Sequence, residues 1–289
     1  MELKAWLEQA IKVLLFSSLI CICGACEAKG GKLTPERLFD DKMLELASAI
    51  EKDDAAKIVT AIRSGANPNG FGKEGITPLI FACAVGEKRA MVALLENGAD
   101  PNLHINATHA SEGMKGRSAV TIVAGAPDNE YLKILLDYGG DVNAKDTDGE
   151  PILITMLFMS PRNYEGIKML LERGADMEAT DSGGCTLLMN MALLADFEHM
   201  YYMLQRGADF RRKDIGGADI SHDVFNYHID KDKFPQGYEW QRKCKEFLLA
   251  HGMKDPGPLK PKVQTPEEQE EWRQMYNKAL EADMKRRGR

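Results

Sequence analysis

The residue types best suited to chemistry in this chain are six histidines, at positions 104, 109, 199, 222, 228 and 251. His104 and His109 are close enough in sequence to reach one metal ion from a single loop. Zinc asks for three or four protein ligands, and no third follows this pair. His199 stands beside Met200 on a helical stretch and reads as a packing residue. No Gly-x-Ser-x-Gly elbow, phosphate-cradling glycine loop or His-Glu-x-x-His is written in the sequence. Cys83, Cys185 and Cys244 lie far apart with no Cys-x-x-Cys among them, so they read as small apolar side chains. The formal net charge is −7, which argues against a general nucleic-acid binder, since that role needs a basic stripe. The pattern points to binding without catalysis and without a cofactor.

Behind these residues stands a repeated phrase. It reads Ser64-Gly65-Ala66-Asn67-Pro68-Asn69, Asn97-Gly98-Ala99-Asp100-Pro101-Asn102 and Tyr138-Gly139-Gly140-Asp141-Val142-Asn143. It returns as Arg173-Gly174-Ala175-Asp176, as Arg206-Gly207-Ala208-Asp209 and, degraded, as His251-Gly252-Met253. The glycines are spaced by 33, 41, 35, 33 and 45 residues, which is the mark of stacked helical repeats with insertions. Each phrase follows an apolar run at helical spacing, such as Met91-Val92-Ala93-Leu94-Leu95. Glycine at the helix end takes the left-handed conformation at little cost, and the Asp or Asn after it suits a turn. Each unit is therefore a helix pair that must stack to bury its apolar face. In the first unit the helices are expected at 41–50 and 55–63. Three insertions are expected: eight residues within 103–116, two near 160–163 and twelve near 226–237, the last drawn from polar and charged residues ending at Pro235.

The clearest unit runs Gly75-Ile76-Thr77-Pro78-Leu79, then Arg89-Ala90-Met91-Val92-Ala93-Leu94-Leu95, then Gly98-Ala99-Asp100. On these residues the chain resembles the ankyrin repeat family. Thr77 is placed to cap a helix and Pro78 to occupy its first turn, where a missing amide costs nothing. Later units depart from the signature. Ser118-Ala119-Val120 replaces Thr-Pro-Leu, Glu150 precedes Pro151, and the pattern is lost after Asp214-Ile215-Gly216. The resemblance covers about 38–253. It implies an all-α, ankyrin-type solenoid of about six helix pairs with a C-terminal capping helix, and a protein-binding role.

The ends of the chain read differently. Residues 13–26 carry no charge and are mostly apolar, too short for a membrane span of about 20 residues and suited to a signal-peptide core. Gly24-Ala25-Cys26 resembles a bacterial lipobox, with Cys23 standing where Leu is usual. Lipidation at Cys26, ordinary cleavage and an uncleaved anchor are the alternatives, in that order. The division is then 1–26 signal peptide, 27–37 tether, 38–253 repeats, 254–264 linker and 265–289 a C-terminal amphipathic helix with a basic tail. That helix opens on Thr265-Pro266-Glu267-Glu268 and carries Trp272, Met275, Tyr276, Leu280 and Met284 as one stripe. It is read as a cap on the last repeat, with partner binding or lipid contact of the basic tail as alternatives.

In ankyrin-like proteins the first helices and the loop tips form one concave face. Carried over by register, this assigns Ala84-Val85, Gly125-Ala126, Leu157-Phe158 and Leu193-Leu194 to an apolar stripe that marks an interface. His104, His109, Asp146, Asp148, Asp181, Arg211 and Arg212 supply charged or polar tips around it, as specific interfaces require. The lipobox-like leader joined to an ankyrin-like body resembles periplasmic lipoprotein immunity proteins that neutralise phospholipase effectors of type VI secretion. That resemblance implies one toxic lipase as partner, its active-site mouth blocked, and an anchor leaning to the outer membrane because Glu27 is not the Asp of inner-membrane retention. A scaffold for one of the cell's own enzymes is the rival reading, and a metal enzyme using the insertion histidines a weaker one.

Overall fold

A computed structural model describes residues 33–105 and 116–258 of the 289. The leader with Cys26, the insertion histidine His109 and the C-terminal stripe lie outside the described residues. Contacts divide the chain after Ser182 into two compact units, a division that falls inside the expected repeat body. Within the described residues no segment forms a strand, and helix pairs build both units.

The first unit holds α1 (Pro35–Leu38) and four pairs: α2 (Asp41–Glu51) with α3 (Ala55–Arg63), α4 (Pro78–Val85) with α5 (Lys88–Glu96), α6 (Ala119–Val123) with α7 (Glu130–Asp137), and α8 (Ile152–Thr155) with α9 (Tyr164–Glu172). The two helices expected near 41–50 and 55–63 are present within a residue of those bounds. Through the first three pairs, first helices stack on first helices and second on second. Their sequences follow from that position. In α4 the run Leu79-Ile80-Phe81-Ala82-Cys83 is buried without a break, because α2 and α6 cover it from both sides. In α5 burial falls on Ala90, Met91, Ala93, Leu94 and Leu95 while Arg89 stays exposed, the one-sided stripe of a helix facing water. Each such leucine contributes about 1.5–3 kcal/mol on burial.

Local chemistry sets the helix starts. Thr77 Oγ1 accepts the Ile80 amide at 3.2 Å with Pro78 at the first position, and Ser118 with Thr121 forms a reciprocal capping box. The first helix of the fourth pair, α8, lacks a side-chain cap of this kind. There Glu150, buried, turns its carboxylate to the Ser182 amide at 3.1 and 3.2 Å instead. The repeated glycine phrase closes each pair: all six anchor glycines take positive φ between 85 and 99°. Gly140, where four of the other five copies have Ala, is required by close packing, since a Cβ there would lie 2.9 Å from Leu135 O and from Val120.

A ladder of asparagines joins the turns of this unit. Asn69 donates to Gly98 O at 2.8 Å and accepts from the Asp100 amide at 2.8 Å. Asn102 repeats the pair of bonds with Gly139 and Asp141, and Asn143 accepts from the Asp176 amide. At the next equivalent position Glu178 replaces Asn.

The second unit holds α10 (Leu187–Leu193) with α11 (Phe197–Gln205) and α12 (Ser221–Asn226) with α13 (Pro235–Ala250). The expected insertion near 226–237 is partly absorbed by helix: α13 runs 16 residues, against 9 in α11. Gln241, buried, donates to Val224 O and Tyr227 O at 2.9 and 2.7 Å and so closes the end of α12. The Cys244 thiol donates to Phe197 O at 3.3 Å, and burial pushes its pKa up to about 12, which fits the packing role read from sequence. Among the described residues no helix is long and apolar enough to cross a membrane.

Candidate functional site

In the first unit the ends of two successive first helices are each tied to the second helix of the following repeat. The Tyr131 hydroxyl donates to Gly86 O at 2.9 Å, just beyond α4. Asn163 donates to Ala124 O at 3.2 Å, at the end of α6, and exchanges amide bonds with Asn129 at 2.8 and 3.0 Å. Its Oδ1 also caps α9 through the Gly166 amide. Met159 lies over Gly125, its Cε 3.6 Å from where a Cβ would stand. These bonds hold Ala84, Val85, Gly125, Phe158 and Met159 as a half-buried, mostly apolar edge. Beside it, Lys88 bridges Asp128 and Glu130 and lies 4.9 Å from the centre of the Tyr131 ring. The two acids raise the Lys88 pKa, and Lys88 in turn lowers that of Asp128.

The expected stripe is therefore corrected in part. Leu157 is 0% exposed, because a 3-10 turn over Met156–Phe158 draws it into the core. Ala126 is buried as well. Val85 and Phe158 keep the half-buried positions that a contact surface needs, and Met159 takes the place assigned to Leu157. Tyr131, Asn129, Asn163 and Lys88 were not found by sequence reasoning. Their only signal is recurrence just after the first helix of a repeat, and the insertion at 160–163 hides it for Asn163.

The tips are built on backbone turns. Asp146 Oδ1 accepts the amides of Asp148 and Glu150 at 2.9 and 3.0 Å, while the Asp146 amide donates to Glu150 O and Gly149 to Asp146 O. Burial raises the Asp146 pKa, against the lowering effect of those two amides. Asp148 and Lys145 are exposed beside it. Burial lowers the Arg117 pKa, opposed by the charges of Asp146 and Asp148. Asp181 is buried, so its carboxylate is not presented at the surface as a tip charge would be. His104 is exposed, its backbone bridged to Ser118.

Leu193, Leu194, Arg211 and Arg212 belong to the second unit. The two leucines are half-buried at the end of α10, and both arginines are exposed. His199 sits half-buried in α11 with Nδ1 2.8 Å from Asp196 Oδ1, a helix-start contact. Among the described residues no group of three or more His, Cys, Asp or Glu is placed to hold a metal.

Comparison with known proteins agrees with this architecture. The family model described as the ankyrin repeat matches residues 74–106, the clearest repeat. Among solved structures, an ankyrin repeat protein, EF0377, aligns with TM-score 0.50 and 21% identity over 71% of this chain and 96% of its own. The ankyrin repeat domain of Bcl-3, from the IkappaB protein family, aligns with TM-score 0.56 and 19% identity over 73% of this chain and 86% of its own. No curated protein matches the sequence. The fold is thus all-α and of the ankyrin type.

Proposed function

We propose that the chain is a non-enzymatic immunity protein that binds a secreted phospholipase and occludes its active site. The observation that carries a binding role is the edge of Val85, Gly125, Phe158 and Met159, half-buried and mostly apolar, with the Lys88, Asp128 and Glu130 charges beside it. Side chains already held in place lose little freedom on binding, which favours tight association. The identity of the partner rests on the lipobox-like leader joined to an ankyrin-type body. In this reading Cys26 is lipidated and the protein is anchored in the periplasm, with the outer membrane favoured.

The test is a pull-down with the full-length exported chain, followed by affinity measurement on the partner. One stoichiometric lipase carrying Gly-x-Ser-x-Gly is expected. Val85→Asp and Phe158→Asp should each weaken binding by about 2 kcal/mol or more while the unfolding midpoint barely moves. A bait that returns alone, or variants that bind as tightly as the parent, would overturn the reading. Leu157 is unsuitable for this test, since a charge at that buried position unfolds the repeat.

A further inference from the structure

The second unit carries an exposed apolar residue, Ile215, that the protein-binding reading leaves unused, close to the cations Arg211 and Arg212 that it counted among its tips. Ile215 is 84% exposed, the most exposed large apolar residue among those described. Three cations precede it in the chain, Arg211, Arg212 and Lys213, all exposed. The turn is held firmly. The Asp214 amide donates to Ala218 O at 2.9 Å, Gly217 to Asp214 O at 3.0 Å, and the Ile215 amide to Gly183 O at 3.1 Å. Two acids lie close by: Asp214 Oδ1 accepts from the Gly216 and Ala218 amides at 2.8 and 2.9 Å, and the exposed Asp209 accepts the Arg211 amide at 3.0 Å. Arg211 is fixed by a 2.7 Å bond to His251 O and lies 4.3 Å from the centre of the Phe210 ring. Two residues before His251, Leu249 is 50% exposed.

We propose that residues 211–215 dock on an anionic lipid surface, with Ile215 entering the interface and the three cations lying among the headgroups. Cations beside a protruding apolar side chain are the recognised combination for interfacial attachment. Gly216 and Gly217 leave no side chain next to Ile215, so the tip is convex. A fluid bilayer accepts a convex tip as it stands, whereas a protein partner needs a preformed acidic pocket. The chain as a whole is acidic at −7, so a local basic turn would orient the approach. The proposal does not rest on the partner reading, which concerns the first unit.

The test is hydrogen exchange on the full-length chain, following the amides of residues 211–217. Two vesicle preparations are compared, phosphatidylcholine mixed with phosphatidylglycerol and phosphatidylcholine alone. The apolar leader would bring the chain to both kinds of vesicle, so the neutral vesicles isolate the effect of the turn. Severalfold slower exchange is expected with the anionic vesicles only. Lys213→Glu with Ile215→Asp should abolish it, and so should salt near 1 M, where the screening length falls to about 3 Å. Both positions are exposed, so the variant is expected to keep the parent's unfolding midpoint. Unchanged exchange on anionic vesicles would overturn the proposal and leave the turn to an acidic protein surface. Equal slowing on neutral vesicles, or slowing that survives the double substitution, would also overturn it.

Discussion

The turns at 146–150 and 214–218 share one backbone scaffold and present opposite surfaces. In each, an Asp amide donates to the carbonyl four residues on at 2.9 Å, and a glycine amide returns to the Asp carbonyl at 3.0 Å. In each, the Asp Oδ1 collects two amides within the turn. What differs is what the scaffold carries. Thr147 and Asp148 crown the first turn, while Ile215 and Gly216 crown the second behind Arg211, Arg212 and Lys213. The comparison teaches that structure and surface are written at separate positions. Asp and Gly make the turn, and the residues between them are left free to choose a partner.

The largest expected effect comes from breaking the shared scaffold. Asp146→Ala and Asp214→Ala each remove an acceptor of two amides, and each should cost about 2–3 kcal/mol, read from chemical unfolding. Asp→Asn at either site should recover most of the loss. If only one alanine variant is destabilised, the two turns are not equivalent.

Next in size is a glycine contrast. At Gly184 a Cβ would meet the Ile215 amide nitrogen at 3.0 Å on top of a φ of 77°, whereas at Gly98, φ 90°, it would meet nothing within 4 Å. Gly98→Ala should cost about 1–2 kcal/mol from conformation alone. Gly184→Ala should cost more and should speed exchange at 211–217. Equal losses would show that the second turn is not braced by Gly184.

Exchanging the crowns should leave stability within about 0.5 kcal/mol, as surface changes usually do. With Ile and Gly placed at 147–148 and Thr and Asp at 215–216, vesicle-dependent protection should vanish from 211–217. Protection that remains would assign the effect to the cations alone.

The smallest effect is a pH dependence of opposite sign at two acids. Burial raises the Asp146 pKa above 3.8, so the folded chain holds that proton more tightly than the unfolded one. The stabilisation it gives is complete below that value and declines as pH rises through the raised one. Asp137 is lowered from 3.8 by Lys133 and then Arg173, so its contribution is present above 3.8 and is lost as pH falls through the lowered value. Asp146→Asn should flatten the first trend in unfolding midpoint against pH, and Asp137→Asn the second. A midpoint profile unchanged by Asp146→Asn would show that its burial carries no cost.

Much of this was legible in the residues. The glycine phrase, the Thr77-Pro78 start and the apolar runs located the helix pairs, because helix ends and amphipathic stripes are local features. The Asp-x-x-Gly turns at 146–149, 181–184 and 214–217 were equally present in the sequence. The sixth repeat, whose pattern looked lost after Gly216, keeps its turn for that reason. The candidate edge was legible only in outline. Leu157 and Phe158 are neighbours of similar character, and a single 3-10 turn sends one into the core and leaves the other half-exposed.

By itself, then, the sequence determined the repeat, its helix pairs and the turns between them, since these depend on residues within a few positions of one another. Packing between repeats sets which apolar residues reach the surface, lets Asn163 and Tyr131 bind neighbouring repeats together, and buries Asp181 while leaving Ile215 exposed. Those outcomes depend on contacts between residues about 30 to 45 positions apart, and a single repeat read alone carries no record of what packs against it.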